Sequence, residues 1–236
     1  MTSKIEETAQ IHLLTALGQN IKIGAYAVIH EGVTLEDNVQ IGDHAVLGKP
    51  VKLSARSIAS TKDIPLTVTI GANSSIGAHA VILQNVEIGK ETIIGDMAFV
   101  REACKIGDQS VVGQGVTVEN KCTIGSRTKI QAKAYITAYT TIEDDVFIAP
   151  AVVTTNDNFM GRTEKRHSLK KGATFKKGCR VGGGVVILPS IEIGEEAFVG
   201  AGSVVTHDVA TKKVVWGSPA KEQRDVPAGE LLGEQQ

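Results

Sequence analysis

Residues 70–107 read IGANSSIGAHAVILQNVEIGKETIIGDMAFVREACKIG, with an isoleucine or valine at every sixth place: Ile70, Ile76, Ile82, Ile88, Ile94, Val100 and Ile106. The series runs on through Val112, Val118, Ile124, Ile130, Ile136, Ile142 and Ile148 without a miss. Four residues after each comes a small or β-branched side chain, as in Ser74, Ala80, Val86, Thr92, Ala98 and Cys104. A helix repeats its faces roughly every 3.6 residues and a plain strand every two, so neither gives a strict six. A hexapeptide period marks a parallel β-helix, a prism whose successive coils stack as parallel strands.

The same frame extends outward. Ile11, Leu17, Ile23, Ile29, Leu35, Ile41 and Leu47 keep it before the main run; Phe175, Val181, Ile187, Ile193, Val199 and Val205 keep it afterwards. The steps from Leu47 to Ile70 and from Ile148 to Phe175 are not multiples of six, so the chain leaves the coil twice. The expectation is an all-β fold. One β-helix domain spans 1–210, with excursions at about 49–69 and 155–174, and a short tail covers 211–236. Three hexads per turn give roughly nine turns, spaced about 4.8 Å apart. Isoleucine-glycine pairs recur at 23–24, 41–42, 70–71, 76–77, 88–89 and 94–95, where glycine allows the backbone angles and close approach of a corner. With 42% hydrophobic but only 4% aromatic residues, the narrow lumen is expected to hold aliphatics and exclude rings.

Net charge is −1, so no global field favours nucleic acid or an anionic membrane. No apolar run approaches the ~18 residues of a membrane span, and MTSKIEETAQ lacks a signal peptide's apolar core. A cytoplasmic protein is the expectation. Cys104, Cys122 and Cys179 all fall at the inward fifth hexad place and read as small core filler. Zinc needs three converging ligands; the sequence has no His-x4-His pair, and no metal site is expected.

The interruptions carry the functional signal. The first brings Lys49, Lys52, Arg56 and Lys62 against the single acid Asp63; the second brings Arg162, Lys165, Arg166, Lys170 and Lys171 against Asp157 and Glu164. Two basic loops on a neutral chain point to phosphate or pyrophosphate groups.

The hexads, together with IGDMAFVRE at 94–102, VTTNDNFMGR at 153–162, VGAGSVVTHDV at 199–209 and VVWGSPAKEQRDV at 214–226, resemble the hexapeptide acyltransferase superfamily. Within it the chain is similar to N-acyltransferases of nucleotide-linked amino sugars. The resemblance implies left-handed coiling, against the right-handed rule for parallel crossovers. It also implies a homotrimer with sites between neighbouring coils, and an acyl-CoA donor, acetyl-CoA first, lying in the groove between subunits. The GSPAK tail resembles the family's GNPAK, with Ser218 in place of Asn and Trp216 in place of a small aliphatic. That places Trp216, Ser218, Pro219, Lys221 and Arg224 near the coenzyme. Trp216 has a second use, as a cover for the open end of the prism.

Transfer to an amine needs a neutral nitrogen, a proton acceptor and donors for the thioester oxyanion. His167 is the one histidine within an excursion; carboxylates are the better candidates. Asp96 and Glu102 hold outward corner places of one turn, and Glu119 and Asn120 are to stack over Arg101 and Glu102 one turn on. The resemblance brings acidic groups of this stretch to the sugar amine. Asp96 and Glu119 are thus the catalytic candidates, with Glu102, Asn120, Asn156, Asp157 and Arg162 contacting the acceptor. Acyl transfer to a non-nucleotide hydroxyl or amine, and a non-catalytic scaffold, are the alternatives.

Overall fold

The computed structural model describes residues 2–53 and 64–233. Strands of mostly two or three residues wind into three parallel sheets. The first face begins at Lys4–Ile5 and climbs to Phe198–Val199, then closes with Lys213–Gly217. The second runs from Gln10–Ile11 to Val204–Val205, and the third from Ala16–Leu17 to Glu192–Ile193. The first face stacks eleven parallel rungs rather than roughly nine, because the frame already starts at Ile5 and continues into the tail. Lys213–Gly217 is the last parallel rung, folded back antiparallel on Ala220–Asp225. The segment 211–236 thus opens with one further rung of the coil before it turns back on itself.

The period of six sets the register. Ile76, Ile94, Val112, Ile130 and Ile148 sit over one another, each buried in the lumen. One aromatic enters it: Phe175 is fully buried, against the expectation that rings are excluded. Ala173 and Cys179, small and equally buried, lie on either side of it in sequence. The inward fifth places also carry hydroxyls. Ser74, Thr92, Ser110 and Thr128 each donate to a carbonyl of the next coil, at 2.8 to 3.0 Å, so these buried polar atoms are satisfied.

Corners explain the glycines. Gly77 needs no unusual φ; a Cβ there would collide with the backbone nitrogen and carboxylate of Asp96 in the next coil. The left-handed conformation falls two residues later, on His79 and Met97, both at φ 57. This costs roughly 1–2 kcal/mol per residue. It aims each N–H at the coil below: His79 donates to the Asp43 carbonyl at 2.9 Å and Met97 to that of Ala78 at 2.8 Å. A corner aspartate adds a second tie, as Asp43 Oδ1 accepts from Ala25 N–H and Asp108 Oδ1 from Lys90 N–H, both at 2.8 Å.

Both excursions leave the prism at the same edge, between the second and third faces. The first separates Val46–Lys49 from Val68–Ile70, the second Val153–Thr154 from Thr174–Phe175. Arg56, Lys62 and Asp63 of the first lie outside the described residues.

Candidate active site

Between the excursions, the edge joining the second and third faces carries four uninterrupted corners: Leu83–Gln84–Asn85, Arg101–Glu102–Ala103, Glu119–Asn120–Lys121 and Thr137–Ala138–Tyr139. Because one coil is 18 residues, Gln84, Glu102, Asn120, Ala138 and Asn156 form a single file along it. Asn156 Nδ2 donates to the Ala138 carbonyl at 3.3 Å, and Tyr139 N–H to that of Asn120 at 3.2 Å.

Arg101 organises the middle of the file. Its Nε and Nη2 donate to the two oxygens of Glu102 at 3.1 and 2.9 Å, and its Nη1 donates to Glu119 at 2.7 Å. Glu119 therefore stacks over Arg101 as expected from the spacing. Glu102 departs from expectation: it is 6% exposed, turned in against the guanidinium rather than outward. Burial works against the charge of Arg101, but the bonds to Glu119 and Glu102 outweigh it and raise its pKa. Burial, then the charge of Glu119, raises that of Tyr135, one coil above. A partly buried triad of two acids on one base is a stronger feature than the surface ion pair that spacing alone gives.

A trench of about 990 Å³ opens beside this cluster on the second face. Its floor is Val28, Val46, Val81 and Phe99; the first limb of the first excursion, Lys49–Leu53, walls it; Arg101 and Glu119 stand at one end, and His30, Lys49 and Lys52 add basic groups. His30 follows His12 by 18 residues, one coil on along the same edge. Its pKa is lowered by burial first, then by His12 and Lys49.

Other candidates lie elsewhere. Asp96 belongs to the opposite edge of the second face, where its Oδ1 accepts from Ala78 N–H at 2.8 Å, the same tie that Asp43 and Asp108 make. Within one chain it does not meet Glu119. Asp157 folds the second excursion on itself: its carboxylate accepts from Phe159 N–H at 2.9 Å, Gly161 N–H at 3.1 Å and Arg166 at 3.3 Å. Arg162 is exposed on that loop. His167 sits on the short helix Arg166–Leu169, 3.6 Å from Glu164. Trp216, Ser218, Pro219, Lys221 and Arg224 occupy the terminal hairpin, where Trp216 and Lys221 are cross-strand partners and Trp216 is 45% exposed. That hairpin ends the edge bearing Asp96, beyond the small residues Gly182–Gly184 and Gly200–Gly202, and so stands apart from Glu102 and Glu119.

The three cysteines are free and buried. Cys104 beside it, then burial, keeps Cys122 protonated. Among the described residues no group of three or more His, Cys, Asp or Glu could hold a metal ion, and no helix is long and apolar enough to cross a membrane.

Two family descriptions match. "GMPPB C-terminal domain" covers residues 63–165, and "Bacterial transferase hexapeptide (six repeats)" covers 15–49 and 172–207. A serine acetyltransferase of Buchnera aphidicola is 41% identical over 81 residues, 34% of this chain and 27% of the relative. A dTDP-3-amino-3,6-dideoxy-alpha-D-galactopyranose 3-N-acetyltransferase of Aneurinibacillus thermoaerophilus is 48% identical over 46 residues, 20% of this chain and 23% of the relative. The chain spans 26% to 30% of the length of the first curated relatives it matches. A crystal structure of a UDP-N-acetylglucosamine acyltransferase superposes with a TM-score of 0.56 at 17% identity, over 93% of this chain and 73% of that one, and shows the shared fold. Hexads, stacked coils and matched repeats together make this chain a hexapeptide-repeat β-helix, similar over the matched residues to the bacterial hexapeptide transferases.

Proposed function

We propose that the chain is an acyl-CoA-dependent N-acyltransferase that acetylates the amino group of a nucleotide-linked amino-deoxy sugar. The observation that carries this is the Arg101–Glu102–Glu119 cluster, set between two excursions on one edge and facing a trench with basic groups on its wall. The acceptor amine attacks the thioester carbonyl, a C–N bond forms and the C–S bond breaks. The proton lost by nitrogen passes to a carboxylate, Glu119 in this reading, and the departing thiolate takes up a proton as free CoA. Arg101 holds both acids in place, while Glu102, Asn120 and Asn156 line the acceptor's path. The acetyltransferase names of the matched relatives support the reaction class, and the dTDP-amino-sugar enzyme among them supports the acceptor. A cytoplasmic location belongs to the same proposal.

The active unit in this reading is a homotrimer. Beyond the trench, the outward residues of the second face are apolar at Val153, Val186 and Val204, whereas the third face presents Thr69, Glu87, Lys105, Thr123 and Glu192. An apolar stripe along one face of three is a surface for association. Turning the second face toward a threefold axis sets the Glu119 edge of one subunit against the Asp96 and Trp216 edge of the next. Acyl donor and acceptor then meet between chains, the donor lying along the small residues that lead to Trp216.

The test is release of free thiol from acetyl-CoA with dTDP- and UDP-linked amino sugars, with serine and galactosides as competitors. Turnover confined to the hydroxyl acceptors would replace N-transfer by O-transfer.

A further inference from the structure

The buried Gln84 has no part in the chemistry above, yet it begins the file that continues through Glu102 and Asn120. It is 4% exposed, and its amide is used at both ends. Oε1 accepts from Val51 N–H at 2.9 Å, on the limb of the first excursion that leaves the coil. Nε2 donates to the Ile64 carbonyl at 2.9 Å, on the limb that returns. The backbone N–H of Gln84 adds a third tie, to the Lys49 carbonyl at 3.2 Å. One side chain thus closes the base of the excursion, and the departing limb it grips is the wall of the trench, from Lys49 to Leu53.

We infer that Gln84 is a positioning residue for the acceptor. Building on the acyl-transfer reading of this edge, it acts through the wall it fixes. That wall brings Lys49 and Lys52 over a floor of Val46, Val81 and Phe99 that ends at Arg101 and Glu119. The trench is then polarised: acids at one end suit an amine, cations on the wall suit phosphates, and the apolar floor suits the flat rings between. Releasing the wall removes the phosphate-facing cations without touching the acids, so it weakens acceptor binding and leaves the chemical step alone. Burial accounts for the choice of glutamine: an unpaired amide here would be costly, and only a side chain with both a donor and an acceptor satisfies two limbs.

Three variants of the full chain test this. Gln84→Leu keeps the volume and drops both side-chain bonds. Gln84→Glu keeps an acceptor for Val51 and loses the donor to Ile64. Val51→Pro removes the N–H from the limb and leaves the core intact, which guards against a folding defect at position 84. The expected result is an acceptor KM raised tenfold or more in Gln84→Leu and Val51→Pro, and less in Gln84→Glu, with kcat and the acetyl-CoA KM within twofold of wild type. Folded variants with an unchanged acceptor KM, or a fall in kcat with the KM unmoved, would overturn it. Calorimetric titration with dTDP and UDP alone separates the two readings. Nucleotide binding weakened tenfold by Gln84→Leu upholds the positioning role even where wild type transfers no acetyl group. Equal nucleotide affinity in wild type and variant overturns it even where transfer proceeds.

Discussion

Glu119 receives a hydrogen bond from Arg101 at 2.7 Å and borders open space on the trench side, which leaves an oxygen for an incoming amine. Replacing it with glutamine keeps the shape and removes the proton acceptor. Turnover of Glu119→Gln is expected to fall about 10²-fold or more, with thermal unfolding close to wild type. Stopped-flow thiol release beside a melting curve measures both, and wild-type turnover would move the base to Glu102 or His167. This residue was legible from spacing alone, since 18 residues place it over Arg101. Burial of Glu102 was not, because hexad position says only that a side chain starts at a corner. Whether it then turns out or in depends on the arginine beside it. Gln84 escaped notice for a similar reason: a glutamine at a corner looks like any polar turn residue until its two partners are seen. Asp96 was legible as a corner group, and its bond to Ala78 is the turn chemistry the sequence also allowed.

At the scale of elements, the two loops and the hairpin differ in what holds them. The second excursion is folded by Asp157. Hydrogen bonds from Phe159 N–H first, then Gly161 N–H and Arg166, hold its carboxyl below the ordinary carboxylate range. A depressed folded pKa means that this contribution is present above the unfolded value and is lost as pH falls through the folded one. Protection factors at Phe159 and Gly161, taken against intrinsic exchange at each pH, are therefore expected to fall at acid pH before the coil itself opens, and Asp157→Asn should remove most of that pH dependence. Equal protection across the range would deny Asp157 the role. In the hairpin, Trp216 is the chain's single tryptophan and pairs across the strands with Lys221. Acetyl-CoA is expected to quench or shift its emission, through a ring stacked near the coenzyme, and Lys221→Ala to weaken that response. An unchanged spectrum during turnover would leave Trp216 as a cover for the last coil. The sequence offered both uses, and its place on a terminal rung fits either, since the ring is half exposed there.

The whole molecule tests the assembly. Sedimentation at micromolar concentration is expected to show a trimer, and Val153→Asp, a charge at a 37% exposed place on the apolar stripe, to dissociate it and abolish turnover together. A fully active monomer would refute the shared site. Asp96→Asn keeps an oxygen for Ala78 N–H, so it should fold and still lose turnover, because the reading carries Asp96 to a neighbour's Glu119. Mixing inactive Asp96→Asn and Glu119→Gln chains should then restore activity, since each mixed trimer has one junction with both acids intact. Mixtures no better than their parents would confine catalysis to single chains. The strict period of six disclosed the prism and the two departures from it. It could not disclose that both departures share one edge, because that requires knowing which face follows each break.

That shared edge has a consequence for how such a protein can change. The excursions depart five rungs apart, about 24 Å at ordinary strand spacing. Nothing between them can lengthen by one residue, since a single insertion would turn every inward side chain of the rung out of the lumen. Only a whole coil of 18 residues can be gained or lost. The span between the two loops therefore grows or shrinks in steps of one strand spacing, like the teeth of a ratchet. A relative accommodating a longer or shorter acceptor along this edge would be expected to differ by one complete coil, with point substitutions confined to the corners.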